Sequence, residues 1–336
     1  MRILILGGTS FVGRHFTEES LKRGFDVTLF NRGKTNTELY PEVEKLIGDR
    51  DGKLESVKGK QWDIVIDTSG YVPRVVEQSI EALKGNIGHY VFLSSISVYK
   101  DFREGRRAEG DPVGKLENEQ IEEVTGETYG PLKALCEEVV TSELPDKNLI
   151  IRSGLIVGPY DTTDRFTYWV DRFSRGGEIL VPGTGTREVQ WVDVRDLVTW
   201  TLNMAEKKET GTYNVTGPSH HYTMGELIDT LDKWTSTHST KIDWVGSDFL
   251  IEQGVQPFTE LPLWVPINDE YPDGYILADI LKATNKGLTF RRPVETIEDI
   301  WQWHNARDVQ DLKAGLDHNK ETSLLHEWKR RNEKKE

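Results

Sequence analysis

The 336-residue chain is long enough for one large domain or for a nucleotide-sized domain with a smaller partner. Its formal charge of −14, from 42 basic and 56 acidic residues, argues against a nucleic-acid partner. A single cysteine, Cys136, excludes an internal disulfide; with no long apolar stretch and no secretory leader, the expectation is a cytoplasmic protein that meets no membrane.

Ile3 to Leu6 is an apolar run suited to one buried strand. A glycine-rich turn follows at once, Gly7, Gly8, Thr9, Ser10, Phe11, Val12 and Gly13. Phe11, Val12, Phe16 and Leu21 then recur at helical spacing, Lys22 and Arg23 suit the last turn, and Gly24 stands at the C′ position. Asp26 to Phe30 predicts a second strand ending in Asn31-Arg32-Gly33. Strand, glycine turn, helix and strand make half of a dinucleotide-binding fold. Gly7 permits a tight exit from the strand, a small Ser10 lets backbone approach a pyrophosphate, and Gly13 allows helix and strand to pack closely. The helix start then offers its N–H groups to the phosphates.

Asp49 follows a third strand, where a carboxylate can accept a hydrogen bond from an adenine amino group, and Arg50 beside it is a further candidate cofactor contact. Trp62 to Asp67 predicts the fourth strand, opening into Thr68, Ser69, Gly70 and Tyr71, where small residues suit a cofactor ribose. Pro73 to Leu83 reads as a helix, and Tyr90 to Leu93 as a fifth, buried strand delivering Ser94 to Tyr99. Tyr129 and Lys133 open a helix running through about Leu144, and at four residues apart they share a face. A neighbouring ammonium favours the phenolate of a tyrosine whose ordinary pKa is about 10. Tyr129 is therefore a candidate acid/base for a carbonyl–alcohol pair, and a serine at the end of a buried strand can hold the same oxygen.

Asn31 lies 18 residues after Gly13, near where an NAD site places its carboxylate. Asn31 carries no charge, Arg32 can pair with a 2′-phosphate and Arg14 can assist, so NADP is the expected cofactor, with NAD as the alternative. Nine of the ten tryptophans lie beyond residue 160, and strand–helix alternation fades there. This composition shift predicts a dinucleotide-binding domain over 1–160, with sheet elements returning near 187–217. Residues 161–336 are then mainly a substrate lobe with an aromatic lining and C-terminal helices.

Tyr71, Ser97, Trp169 and Arg187 are candidate substrate contacts, against the plainer readings of core tryptophan and surface arginine. Cys136 sits among Leu132, Leu135, Val139 and Val140 and reads as a small buried hydrophobe. His220 and His221 are adjacent and lack HExxH or CxxC spacing, so no metal is expected. The basic tail, Lys329, Arg330, Arg331, Lys334 and Lys335, is diluted by Glu327, Glu333 and Glu336 and reads as a solvated terminus.

Ser95-x-x-Val98-Tyr99 followed by Tyr129-x-x-x-Lys133, downstream of a turn with Ser10 at the middle glycine of TGxxGxxG, resembles the extended short-chain dehydrogenase/reductases. These are also called the NAD-dependent epimerase/dehydratases. Leu149 to Pro159, Gln190 to Leu197, Gly211 to Gly217 and Thr223 to Leu227 continue the likeness over roughly residues 1–230. Asn31-Arg32-Gly33, Gly70 to Arg74 and Tyr129 to Lys133 are closest in wording to a bacterial subgroup labelled reductase or isoflavone-reductase-like. The resemblance implies an α/β fold, a doubly wound and mostly parallel sheet of Rossmann type with a smaller C-terminal substrate lobe. It implies Ser95, Tyr129 and Lys133 as the catalytic set, Asp49 as the adenine contact and hydride transfer on a small organic substrate. It also implies a homodimer through two helices, here Pro73–Leu83 and Pro131–Leu144, with Val75, Val76, Leu135 and Val139 as apolar surface.

Sugar-nucleotide dehydratases of this family place a threonine-aspartate-glutamate run where this chain has Ser95-Ile96-Ser97, and Ile96 can donate nothing. Epimerases commonly carry an asparagine three residues after the arginine matching Arg152, where this chain has Leu155. An NAD(P)-dependent oxidoreductase acting on a carbonyl or alcohol is thus the leading expectation. The alternatives are a sugar-nucleotide epimerase and a non-catalytic dinucleotide- or RNA-binding protein, since some plastid relatives bind RNA.

Overall fold

The computed structural model describes residues 1–103, 105–235, 239–268, 271–308 and 311–334, which leaves Lys335 and Glu336 of the tail outside the description. The chain opens with β1 (Arg2–Leu6), α1 (Phe11–Lys22), β2 (Asp26–Asn31), β3 (Glu44–Ile47), β4 (Trp62–Asp67) and α2 (Pro73–Leu83). It continues through β5 (Ile87–Ser95), a 3-10 turn at Ile96–Val98, α3 (Tyr129–Glu143), β6 (Asn148–Ser153), β7 (Leu155–Val157) and α4 (Arg165–Ser174). Then come β8 (Gly177–Pro182), β9 (Trp191–Asp193), α5 (Val194–Glu206), β10 (Gly211–Val215), α6 (Met224–Trp234) and β11 (Thr240–Val245). The last elements are α7 (Ser247–Glu252), α8 (Leu281–Asn285), α9 (Pro293–Asn305) and α10 (His318–Glu333).

Seven strands form one parallel sheet in the order β10-β6-β5-β4-β1-β2-β3. Their near-continuous apolar runs suit a sheet covered on both faces. In β1, Ile3 and Ile5 join Phe16, Leu29, Ile66 and Leu197 in one core, while Leu4 and Leu6 join Val76, Tyr90, Phe92 and Val140 in the other. Helices therefore cover both faces, as in a doubly wound fold. The strand order reverses between β1 and β4, and the crevice at the carboxyl ends of these two strands is where such sheets bind ligands.

Leu149–Pro159 does not run as one strand. At Gly154 a Cβ would lie 2.6 Å from the Thr216 Cβ, so only glycine fits; β6 ends there and β7 leaves the large sheet. Val76 turns wholly into the core, and Val139, half-buried, packs on the same cluster, which removes much of the apolar surface expected for a dimer.

The chain divides into two compact units. The first holds Met1–Ile156, Trp191–Ser219 and Gly274–Phe290; the second holds Val157–Gln190, His220–Asp273 and Arg291–Glu336. The first unit takes back Gly274–Phe290 as well as the elements expected to return near 187–217. That return is a backbone matter, since Arg107 N donates to Leu277 O (3.1 Å) and Asp279 N to Arg107 O (2.8 Å).

In the second unit, strand–helix alternation continues rather than fading, with β8 and β11 paired in parallel. Thr223 and Glu226 form a capping box at the start of α6. Glu321 ties α10 in place, accepting from Arg172 Nε (2.7 Å) and from Leu180 N (3.1 Å). Trp169 is fully buried and donates Nε1 to Pro262 O (2.8 Å), so it is core and does not line a substrate pocket. Three of the tail's basic groups are partnered by acids: Lys329 by Glu178 and Asp243, Arg330 by Glu327, Arg331 by Glu252. Among the described residues no helix is long and apolar enough to cross a membrane, and no group of three His, Cys, Asp or Glu could hold a metal ion.

Candidate active site

The glycine turn between β1 and α1 is built so that side chains have no room. Gly7 and Gly8 sit at φ +118° and +99°, and a Cβ on Gly7 would meet Thr68 Oγ1 at 2.6 Å. A Cβ on Gly13 would meet the Gly8 amide nitrogen at 2.6 Å, so helix and turn touch backbone to backbone. Thr17 Oγ1 donates to both Gly8 O and Gly13 O (2.9 Å each), and Asn36 Nδ2 donates to Thr9 O (2.7 Å). Ser10 is exposed, extended at φ −132°, and does not cap α1 with its side chain. This cradle fits a pyrophosphate at a helix N-terminus.

At the end of β2, Asn31 Oδ1 accepts from Gly33 N (2.9 Å) and Arg32 is exposed. Arg14 Nε donates to Glu18 one turn along α1 (2.8 Å). Asp49 Oδ1 is engaged by Asp51 N (3.1 Å) within its own turn. Arg50 is corrected more sharply. Its two terminal nitrogens donate to the two carboxylate oxygens of Asp67 (2.7 and 2.6 Å), and Nε donates to Ser79 Oγ (3.1 Å). Asp67 is completely buried at the end of β4 and also accepts from Tyr90 OH (2.8 Å) and Ser69 N (3.0 Å). Burial alone would raise its carboxyl pKa, but Arg50 holds it below the ordinary value. A buried carboxylate needs a counter-charge, so Arg50 braces the Thr68–Ser69 loop rather than reaching for a ligand. Thr68 Oγ1 (2.9 Å) and Ser69 Oγ (3.3 Å) both donate to Leu6 O, beside the glycine turn.

Ser95 ends β5, and its Oγ is held between the Ser97 hydroxyl (3.0 Å) and the Ser97 amide (3.1 Å). Ser97 is exposed. Gly130 follows Tyr129 in the first turn of α3, and a Cβ there would lie 3.0 Å from the Ser97 carbonyl carbon and closer still to its oxygen. Only glycine lets α3 start against the Ser95–Ser97 turn. Lys133 is buried, with Nζ donating to Gly70 O (2.7 Å) and Leu93 O (2.5 Å) and lying 4.2 Å from the centre of the Phe92 ring. Burial lowers its ammonium pKa to about 8. The half-exposed Tyr71 ring lies 6.3 Å from that of Tyr129 and 5.5 Å from Lys133 Nζ. Ser95, Tyr129, Lys133, Tyr71 and Ser97 are thus gathered around the carboxyl ends of β4 and β5. Cys136, one turn on, is fully buried and its thiol is pushed up to about 12, which suits a packing role.

Behind this cluster, Glu137 accepts from Ser94 Oγ (2.5 Å) and from Arg152 NH2 (2.7 Å), and all three residues are buried. The sequence gives no role to Asn36, Gly130 or Glu137, and it shows Gly8 only as part of the glycine turn and Asp67 only as the end of a strand, because their partners lie far along the chain. Arg187, in the second unit, donates NH2 to Pro272 O (3.1 Å), while its buried NH1 has no hydrogen-bond partner among the described residues.

The family model for the NAD dependent epimerase/dehydratase family matches residues 3–216. The chloroplast stem-loop binding protein of 41 kDa b of Arabidopsis thaliana is 29% identical over 244 residues, 65% of this chain but only 59% of that protein's length. A UDP-N-acetyl-alpha-D-glucosaminuronate decarboxylase of Bacillus cytotoxicus is 26% identical over 296 residues, 78% of this chain and 87% of the enzyme. Among solved structures, UDP-glucuronic acid 4-epimerase from Bacillus cereus in complex with NAD superposes with a TM-score of 0.66 at 18% identity, covering 90% of this chain and 96% of its own. UDP-N-acetylglucosamine 4-epimerase from Bacillus cereus gives 0.64 at 15%, covering 93% and 99%. These two likenesses are of fold. With its glycine cradle, its Ser95, Tyr129 and Lys133, and a matching model over well beyond half its length, the chain belongs to the NAD-dependent epimerase/dehydratase family.

Proposed function

We propose that this chain is an NAD-dependent enzyme acting on a nucleotide sugar, of epimerase type, with Ser95, Tyr129 and Lys133 as its catalytic residues. The observation that carries the reading is their convergence at the ends of β4 and β5 beside a glycine turn shaped for a pyrophosphate. The family's description and the alignment with a nucleotide-sugar decarboxylase over most of both chains support this substrate class above the simple carbonyl reductase expected from sequence.

The turn from Gly7 to Gly13, Thr9, Phe11 and Val12 among its residues, receives the dinucleotide, with Thr68 and Ser69 beside it. When bound, NAD supplies a hydride acceptor that can also return the hydride. Tyr129 takes the proton of the sugar hydroxyl and gives it back, Ser95 donates a hydrogen bond to the same oxygen, and Lys133 keeps the tyrosine acidic and binds the nicotinamide ribose. Ile96 is buried and cannot donate a proton, so elimination of water is disfavoured. Leu155 stands where related epimerases carry the asparagine that faces a substrate diphosphate. A second cofactor reading, NADP, rests on the uncharged Asn31 and the exposed Arg32.

The test is incubation of the NAD-loaded protein with UDP-glucose, UDP-N-acetylglucosamine and UDP-glucuronic acid, with products resolved by NMR. Tyr129→Phe should lower the rate on the order of 10²- to 10⁴-fold. No change in any of these sugars, beside oxidation of NADPH by simple carbonyl compounds, would return the reductase reading. A salt-sensitive RNA gel shift without turnover would favour the stem-loop-binding relative; the −14 charge and the partnered basic tail stand against it.

A further inference from the structure

We infer that Glu137, with Arg152 and Ser94, is a positioning residue for the reaction: the buried clamp sets α3 against the end of β5 and so sets Tyr129 and Lys133 against Ser95. This inference rests on the Ser95–Tyr129–Lys133 reading.

Glu137 lies one helical turn beyond Lys133, which is itself one turn beyond Tyr129. Its carboxylate accepts from Arg152 Nε (3.0 and 3.2 Å) and NH2 (2.7 Å), and from Ser94 Oγ at 2.5 Å. Ser94 and Arg152 are directly opposite in the register of β5 and β6. One carboxylate on the helix therefore pins two adjacent strands at the residue preceding Ser95. The clamp is braced from behind. Arg152 NH1 donates to Glu109 O (3.0 Å), its guanidinium lies 5.0 Å from the Tyr99 ring centre, and Tyr99 OH donates to Asn214 on β10 (2.6 Å). Ser153 Oγ adds a bond to Ser94 O (3.0 Å).

Apolar packing of Leu132, Cys136 and Val140 would hold α3 on the sheet but would leave it freer to roll or slide. The reacting groups tolerate little of that, since a displacement of about 1 Å costs on the order of 100-fold in rate. A merely structural ion pair predicts the opposite sensitivity, because buried pairs are often replaceable by apolar residues of similar volume without loss of stability.

That contrast gives the test. In the paired variant Glu137→Leu with Arg152→Met, both charges leave together, so any change at Tyr129 reflects geometry. The expected result is a folded protein with NAD affinity and KM within about 2-fold of the parent and kcat lower on the order of 10- to 100-fold. In the NAD-loaded protein, the Tyr129 phenolate midpoint should move up by about one pH unit as Lys133 withdraws. That midpoint is read at 295 nm by difference against Tyr129→Phe and needs no substrate. Ser94→Ala removes one hydroxyl from the clamp and serves if the paired variant does not fold; it should lower kcat several-fold with unchanged KM. Unchanged kcat and an unmoved Tyr129 midpoint in whichever of these variants folds would overturn the proposal while leaving the Ser95–Tyr129–Lys133 reading intact. If Tyr129→Phe itself keeps turnover, that reading fails whatever Glu137 does.

Discussion

Gly130→Ala probes the site with one methyl group. The added Cβ would stand 3.0 Å from the Ser97 carbonyl carbon, tighter than the 3.4 Å at which ordinary contact begins, and nearer still to the carbonyl oxygen. The backbone of Ser97 is tied to Ser95 Oγ, so the start of α3 must move outward, and Tyr129 is the adjacent residue. The displacement needed approaches 1 Å, at which kcat falls on the order of 100-fold. Overpacking should also destabilise by about 1–3 kcal/mol, against a helix-propensity gain of under about 1 kcal/mol. Gly126→Ala is the control, because a Cβ there meets nothing within 4 Å. The assay is steady-state turnover of the reactive UDP-sugar together with urea unfolding of both variants. A Gly130→Ala protein with kcat within 2-fold of the parent and unchanged stability would refute the argument that α3 must abut the Ser95–Ser97 turn.

Gly13→Ala should weaken NADH binding about 10- to 100-fold by fluorescence titration, since its Cβ would press on the Gly8 amide at 2.6 Å and spoil charge-assisted bonds to phosphate. Lys133 carries a pKa lowered to about 8 by burial, so its ammonium is lost as pH rises through that value; NAD affinity should fall several-fold above pH 8, and Lys133→Met should abolish this dependence. Asn31→Asp should lower NADPH affinity at least about 10-fold while sparing NADH, because a carboxylate repels a 2′-phosphate and bonds the ribose hydroxyls. Glu321→Ala leaves the buried Arg172 guanidinium uncompensated and should cost the second unit about 3–5 kcal/mol, seen as early proteolysis of the C-terminal helix in a denaturant series.

Local chemistry in the sequence was enough to find the elements of the first unit. Periodic apolar runs located β1, β2, β4 and β5 on both sides of their helices, and glycines bounded the turn, because strand burial and left-handed backbone leave direct marks on residue choice. The same holds for Tyr129 and Lys133, whose spacing of four is a property of any helix. What the sequence could not show is which polar groups meet across the fold. Arg50 reads as a ligand beside Asp49, yet only the parallel register of β4 and its neighbours brings a buried Asp67 to it, and both its terminal nitrogens are spent on that carboxylate. Trp169 reads as a pocket wall until its indole N–H is seen to satisfy Pro262 O inside a core. Glu137 looks like any helical glutamate until β5 and β6 set Ser94 and Arg152 opposite one another beneath it. Sequence periodicity determined which segments are strands and helices, because that is decided within a few residues. Tertiary structure alone decided which charges are paired, because burying an ion requires a partner that is distant along the chain.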